Sequence, residues 1–190
     1  MEQDAPTDLT GRLLIAMPGM GDPRFAKAVI LICAYGEDGA MGIIVNKPAP
    51  ELDFSALADQ LSIETDEAQG REPIYFGGPV EGGRGFVLHS RDYEDGDTTL
   101  EVGSDFGMTA TLGVLRAMAE GTGPAKRLVA LGYAGWGPGQ IEQEIVENGW
   151  LVADAPTDLV FAPDNGEKWI SAIGTLGFDP ILLSASAGRA

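Results

Sequence analysis

One histidine and one cysteine bound the chemistry open to this chain. His89 and Cys33 are the only imidazole and the only thiol in 190 residues. A Cys/His zinc cluster and a paired-His helical motif both need more ligands than that. The densest carboxylate cluster is Asp92, Glu94, Asp95 and Asp97. Counted from Asp92, the sixth and twelfth positions hold Asp97 and Gly103, where a calcium-hand loop needs Gly and Glu. The cluster therefore reads as a solvated loop, and neither metal nor cofactor is expected.

Nucleophilic chemistry has little support. Cys33 lies inside the apolar run Val29–Ala34 and reads as an inert core thiol. No Gly-x-Ser-x-Gly elbow is present. His89 and Ser90 are adjacent on a strand and point to opposite faces, so they form no dyad. A catalytic His89 would need a partner from another segment. In that reading Arg84 binds an anionic group, His89 acts as base, and Asn46 or Gln140 orients the substrate.

The most distinctive stretch is Gly132–Gln140, which reads Gly-Tyr-Ala-Gly-Trp-Gly-Pro-Gly-Gln. Its glycines permit close backbone approach, and Tyr133 and Trp136 carry apolar surface with polar handles. One reading is a recognition loop; the other is a core-capping Trp and turn-making glycines. The run opens a helix, so its amides could hold an anion, but Glu142 and Glu144 already complement that helix end.

The elements that must position these residues can be read from periodicity and punctuation. Strands are expected at Leu13–Ala16, Val29–Ala34 and Met41–Asn46, the last two joined as a hairpin across Gly-Glu-Asp-Gly. Further strands are expected at Ile74–Phe76, Phe86–His89, Thr98–Val102, Arg127–Tyr133, Trp150–Ala153 and Leu159–Phe161. Asp22-Pro23 signals a short helical start. Helices are expected at Phe54–Leu61, from a cap at Thr109 to Glu120 with Gly121 after it, at Gln140–Asn148 and at Glu167–Leu176. Pro48 and Pro50 should end the third strand, and Ser62–Pro73 reads as an exposed loop. Residues 1–12 read as a disordered leader before a single domain, 13–190. The order lacks strict strand–helix alternation, which predicts an α+β domain with a mixed, largely antiparallel sheet.

Composition narrows the partners. Twenty-nine acidic residues face twelve basic ones, a net charge of −17. The basic residues are scattered, so direct nucleic-acid binding is not expected. The longest apolar run, Ala28–Ala34, is too short to span a bilayer, so no membrane partner is expected. A lone cysteine and an acidic N-terminal stretch without a basic region point to the cytoplasm.

These motifs together resemble the YqgE/AlgH family of bacterial proteins. The resemblance rests on Leu14-Ile15-Ala16-Met17-Pro18 with Asp22-Pro23-x-Phe25, Gly39–Pro48, Tyr75-x-Gly77-Gly78-Pro79-Val80, Arg84–His89, Leu131–Gln140 with Glu142, and Asn148-x-Trp150-Leu151. It covers the chain from about Leu13 onward. Two positions depart from the family pattern. Ala34-Tyr35 stands where an acidic-His pair is common, and Ala187-Gly188-Arg189-Ala190 where Ala-Gly-His-Ala is common. The resemblance implies one α+β domain on a bent, bifurcated sheet like a partial barrel. It implies no agreed activity; members are uncharacterised or assigned as transcriptional regulators through an association with alginate control.

The leading expectation is a non-enzymatic regulatory or binding protein acting through a protein or small ligand. Its site would draw on Asp22, Asn46, Gly77, Gly78, Arg84, Tyr133, Gly135, Trp136 and Gln140. The alternative is a hydrolase-like small-molecule enzyme built on Arg84 and His89. A third reading, a DNA-binding regulator, is disfavoured by the charge.

Overall fold

In the computed structural model, residues 8–177 are described. The strands are β1 (Leu13–Ala16), β2 (Val29–Gly36), β3 (Gly39–Ile44), β4 (Pro48–Asp53), β5 (Pro73–Phe76), β6 (Val80–Ser90), β7 (Thr99–Val102), β8 (Phe106–Thr109), β9 (Arg127–Trp136) and β10 (Trp150–Ala153). The helices are α1 (Phe54–Gln60), α2 (Glu67–Gly70), α3 (Leu112–Glu120), α4 (Gln140–Val146), α5 (Thr157–Val160) and α6 (Lys168–Gly174). The expected α+β class and largely antiparallel sheet are both present.

The sheet runs β10-β1-β2-β3-β9-β6-β8-β7 and bifurcates at β9. One edge of β9 carries β6 along most of its length. Its other edge is divided: β5 pairs in parallel with Val129–Leu131, and β3 pairs antiparallel with Ala134–Trp136. Every other pairing is antiparallel.

Three apolar clusters explain the sequence patterns. Leu13, Ile15, Val29, Leu31 and Ile43 face the interior of the curled sheet, with Phe86, Leu88, Phe106, Leu128 and α6. Leu14, Ala16, Ile30, Ile32 and Ile44 point the other way, under α4 and Trp136. Burial on both faces is why β1, β2 and β3 read as continuous apolar runs rather than alternating ones. A third cluster packs Phe54 of α1 and Val114 and Met118 of α3 on the outside of β6 and β9.

Several expectations are corrected. The third strand does end before Pro48, at Ile44, but Pro48 and Pro50 then lie in a further, unexpected strand, β4, paired on β5 alone, where a missing N–H is tolerated. Ser62–Pro73 contains α2, capped by Asp66. Thr109 caps no helix. It ends β8, and α3 starts after Thr111 and closes at Gly121 in the left-handed conformation. Leu112, at the start of α3, is 46% exposed. Leu159–Phe161 is not a strand, because Thr157–Val160 turns as α5 after Pro156. Of the expected leader, 8–12 are packed: Leu9 is buried, and the Gly11 N–H donates to Ile32 O at 2.8 Å. Residues 1–7 and the C-terminal departure at 187–190 lie outside the described residues. Among the described residues, no helix is long and apolar enough to cross a membrane.

Candidate functional site

The Gly132–Gln140 run divides into a structural half and an open half. At Gly132, β9 turns through φ +73° and presses on the Gly77–Gly78 corner. A Cβ on Gly78 would overlap the Tyr133 carbonyl, and one on Gly77 or Gly132 would overlap a carbonyl oxygen across the crossing. Gly77 and Gly78, expected as ligand contacts, are therefore buried and serve the crossing of two backbones. Tyr133 stacks edge-on against Phe86, with ring centroids 5.9 Å apart. Only beyond it does the strand open to a cleft.

That cleft has a volume of about 530 Å³ and lies between the turn at Asp22–Phe25 and α4. Asp22, Gly135, Trp136 and Gln140 all line it, so four of the sequence candidates meet there. Phe25, Trp150 and Trp136 form a row of edge-to-face rings, 5.8 and 6.2 Å between centroids. Both Trp residues are largely buried, and both indole N–H groups donate to Glu144 Oε2, at 2.7 Å from Trp136 and 3.2 Å from Trp150. Gln140 Nε2 donates to Glu144 Oε1 at 3.3 Å. Glu147 stands on the same helix face and also lines the cleft.

The opposite bank is a closed pair. The Arg24 guanidinium spans both oxygens of Asp22, with Nη2 to Oδ2 at 2.7 Å, and the Arg24 N–H donates to Oδ1. Hydrogen bonds from the Arg24 side chain and then its N–H hold the Asp22 carboxyl below its usual range. The phosphate cradle considered at Gly135–Gly139 is filled from within. The Gln140 side-chain oxygen accepts the Gly137 N–H at 2.9 Å.

The remaining candidates lie elsewhere. Asn46 bridges backbone: Oδ1 accepts the Val29 N–H at 2.9 Å and Nδ2 donates to Lys27 O at 2.8 Å. Arg84 is exposed in a bulge of β6, 3.4 Å from Glu81 and 5.1 Å above the Phe86 ring. His89 lies five residues on, about 16 Å along an extended strand. It is fully buried. Its Nδ1 lies 2.7 Å from Ser90 O, a pure acceptor, so Nδ1 carries the proton and Nε2 accepts the Thr109 hydroxyl at 2.8 Å. Thr99 then donates to Thr109 and accepts the Asp95 N–H. Burial lowers the His89 pKa and keeps the ring neutral. His89 and Arg84 do not converge with Tyr133–Gln140, as the enzymatic reading required. Cys33 is buried in a bulge of β2, and burial pushes its thiol up to about 12.

Glu144, Glu147 and Trp150 also line the cleft, although none of them stands among the expected site residues. The spacing Gln140, Glu144, Glu147 places all three on one helical face, and that was the available signal. Lys168 was also unforeseen: it is buried, donates to Val45 O at 2.8 Å, sits 5.4 Å over the Tyr75 ring, and is depressed to about 8 by burial. Among the described residues, no group of three or more His, Cys, Asp or Glu side chains is placed to hold a metal ion.

The AlgH-like family matches residues 13–181. The chain belongs to that family. A UPF0301 protein of Ruegeria pomeroyi is 57% identical, the match covering 96% of this chain and all of the relative. Another, from Cereibacter sphaeroides, is 52% identical over 96% of this chain and all of its own. The solution structure of the AlgH protein from Pseudomonas aeruginosa is similar throughout, with a TM-score of 0.79, 41% identity and full coverage of both chains. A Corynebacterium diphtheriae protein, 23% identical with a TM-score of 0.77 and covering 97% and 94% of the two chains, shares the fold. The Tyr35 hydroxyl donates to Glu142 and fastens the end of β2 to α4. That bond, then burial, raises the Tyr35 hydroxyl to about 12.

Proposed function

We propose that this AlgH-like chain is a non-enzymatic binding protein, and that the cleft between Asp22–Phe25 and α4 receives a small ligand or an element of a partner protein. One observation carries this reading: Asp22, Gly135, Trp136 and Gln140, dispersed over the sequence, line one cavity with an aromatic floor. Concavity, apolar rings and a few fixed polar groups are the usual makings of a recognition site. Among the described residues that line the cleft there is no His, Cys, Ser, Thr, Lys or Tyr; its polar side chains are three carboxylates, one amide and the Arg24 guanidinium. Direct duplex binding is not part of the proposal, since a net charge of −17 repels phosphate.

The test occludes the cleft without touching its polar groups. A Cβ at Gly135 meets only ordinary contacts with Tyr133 and Val80, so Gly135→Leu should fold and fill the space. Metabolite and peptide libraries screened by thermal shift should yield ligands for the native chain that Gly135→Leu no longer binds. Ligands that bind both chains equally would overturn the reading.

A further inference from the structure

Resting on that reading, we infer that the cleft selects an organic cation, a guanidinium or ammonium group on a small molecule or on a basic side chain of a peptide. The lining carries Asp22, Glu144 and Glu147 against one basic group, Arg24, whose guanidinium is already closed onto both Asp22 oxygens. An anion entering the cleft meets Glu144 and Glu147, with no free cation among the described residues that line it. It also gains no helix-end amide at Gly137, because Gln140 takes that N–H.

Glu144 is built to accept. A carboxylate offers about four lone-pair sites. Two indole N–H groups and one amide take three of them and fix the orientation. Among the described residues, the remaining site has no donor. Glu147 lies one turn on, with one oxygen held by Gln143 at 3.1 Å and the other without a donor among the described residues. Two carboxylates on one helical face beside aromatic rings suit a donor-rich, weakly hydrated cation, which gains charge-assisted hydrogen bonds and the attraction of the ring faces together. A bare metal ion is a poorer match, since the rings of Phe25, Trp136 and Trp150 supply no ligands. The acidic field of the whole chain adds long-range attraction of the same sign.

The experiment titrates the intact protein with agmatine, spermidine, the peptide Gly-Arg-Gly, glucose and inorganic phosphate, following tryptophan fluorescence and binding heat. Saturable binding of at least one cation is expected, with neither glucose nor phosphate bound. The double variant Glu144→Gln, Glu147→Gln should weaken it at least about tenfold, the loss of charge-assisted bonds. A single Glu147→Gln serves as the milder variant if the double one unfolds. The control Asp92→Asn, Asp97→Asn removes two charges from the distant loop and should leave affinity within about twofold, the scale of exposed-charge effects. Agmatine or spermidine binding without the peptide marks a small-molecule ligand, and tighter peptide binding marks a protein partner; either supports the inference. Equal weakening by the control pair would reduce the effect to net charge and overturn it. Binding of glucose or phosphate alone, lost in Gly135→Leu, overturns cation selection and leaves the cleft standing. Failure of every cation to bind at millimolar concentration overturns the inference. Cation binding unchanged in Gly135→Leu overturns the cleft reading as well.

Discussion

Strand β9 joins two polar centres of opposite character. Its Arg127 end pairs with His89, and its Trp136 end abuts Glu144. His89 is enclosed, and each ring nitrogen has a partner; the chain from the Asp95 N–H through Thr99 and Thr109 ends on it. Glu144 accepts from two buried indoles and from Gln140, yet it lines an open cavity. A saturated polar group explains itself by the fold. A polar group oriented at some cost in desolvation, yet left short of one donor, points outward to something else.

The comparison breaks most sharply between the two centres, at the Gly78 crossing. Gly78→Ala drives a Cβ into the Tyr133 backbone. It should cost more than about 4 kcal/mol or leave no folded protein, because backbone rather than a flexible side chain must yield. Chemical denaturation measures this, and a loss under about 1 kcal/mol would show that the two halves of β9 are not locked there.

His89→Ala comes next, at about 3 kcal/mol, since it empties a buried volume and strands the Thr109 hydroxyl. The same residue sets an acid limb. Its folded pKa is lowered, so the neutral ring stabilises the protein above the ordinary value of 6.5, and that contribution falls away as the pH drops below it. Denaturation midpoints of the native chain should fall through that range, and the His89→Ala midpoints should fall less. Parallel curves would place the acid sensitivity elsewhere.

The smallest effect belongs to the open end. Glu144→Gln keeps an oxygen for both indoles and should alter stability by less than about 1 kcal/mol. A destabilisation as large as that of His89→Ala would make Glu144 a second structural centre and erase the distinction.

Much of this was legible beforehand, and the misses share causes. Runs such as Val29–Ala34 and Arg127–Tyr133 announce strands because apolar side chains on both faces leave no other reading. The β8 segment, Phe106–Thr109, did not, because Gly107 sits under the His89 ring and carries no side chain to pattern. The 48–53 segment was lost to a local rule about proline that the edge position suspends. The glycine signature pointed to the right strand and blurred two jobs within it. Nothing local separates Gly78, pressed against another backbone, from Gly135, open to a cleft. Asn46 and Gly77 meet backbone in the fold, and sequence does not announce this, because a polar or flexible residue in a turn looks the same whether its partner is a ligand or the chain itself. Glu144 was noticed only as a charge hostile to phosphate, since its value depends on two indoles that the fold brings to it.

The position of β9 also has a consequence for how the chain comes to be. It lies between β3 and β6, yet it is made after both, at residues 127–136. Until then a growing chain carries three separate ribbons, β1–β3, β4–β5 and β6–β8, each with an unpaired edge waiting for the same strand. Such late, distant closure slows folding and lengthens the time those edges are open to other chains. A ribosome stalled before residue 127 would hold the protein with those edges open, and emergence of the next ten residues would zip the three ribbons into one sheet.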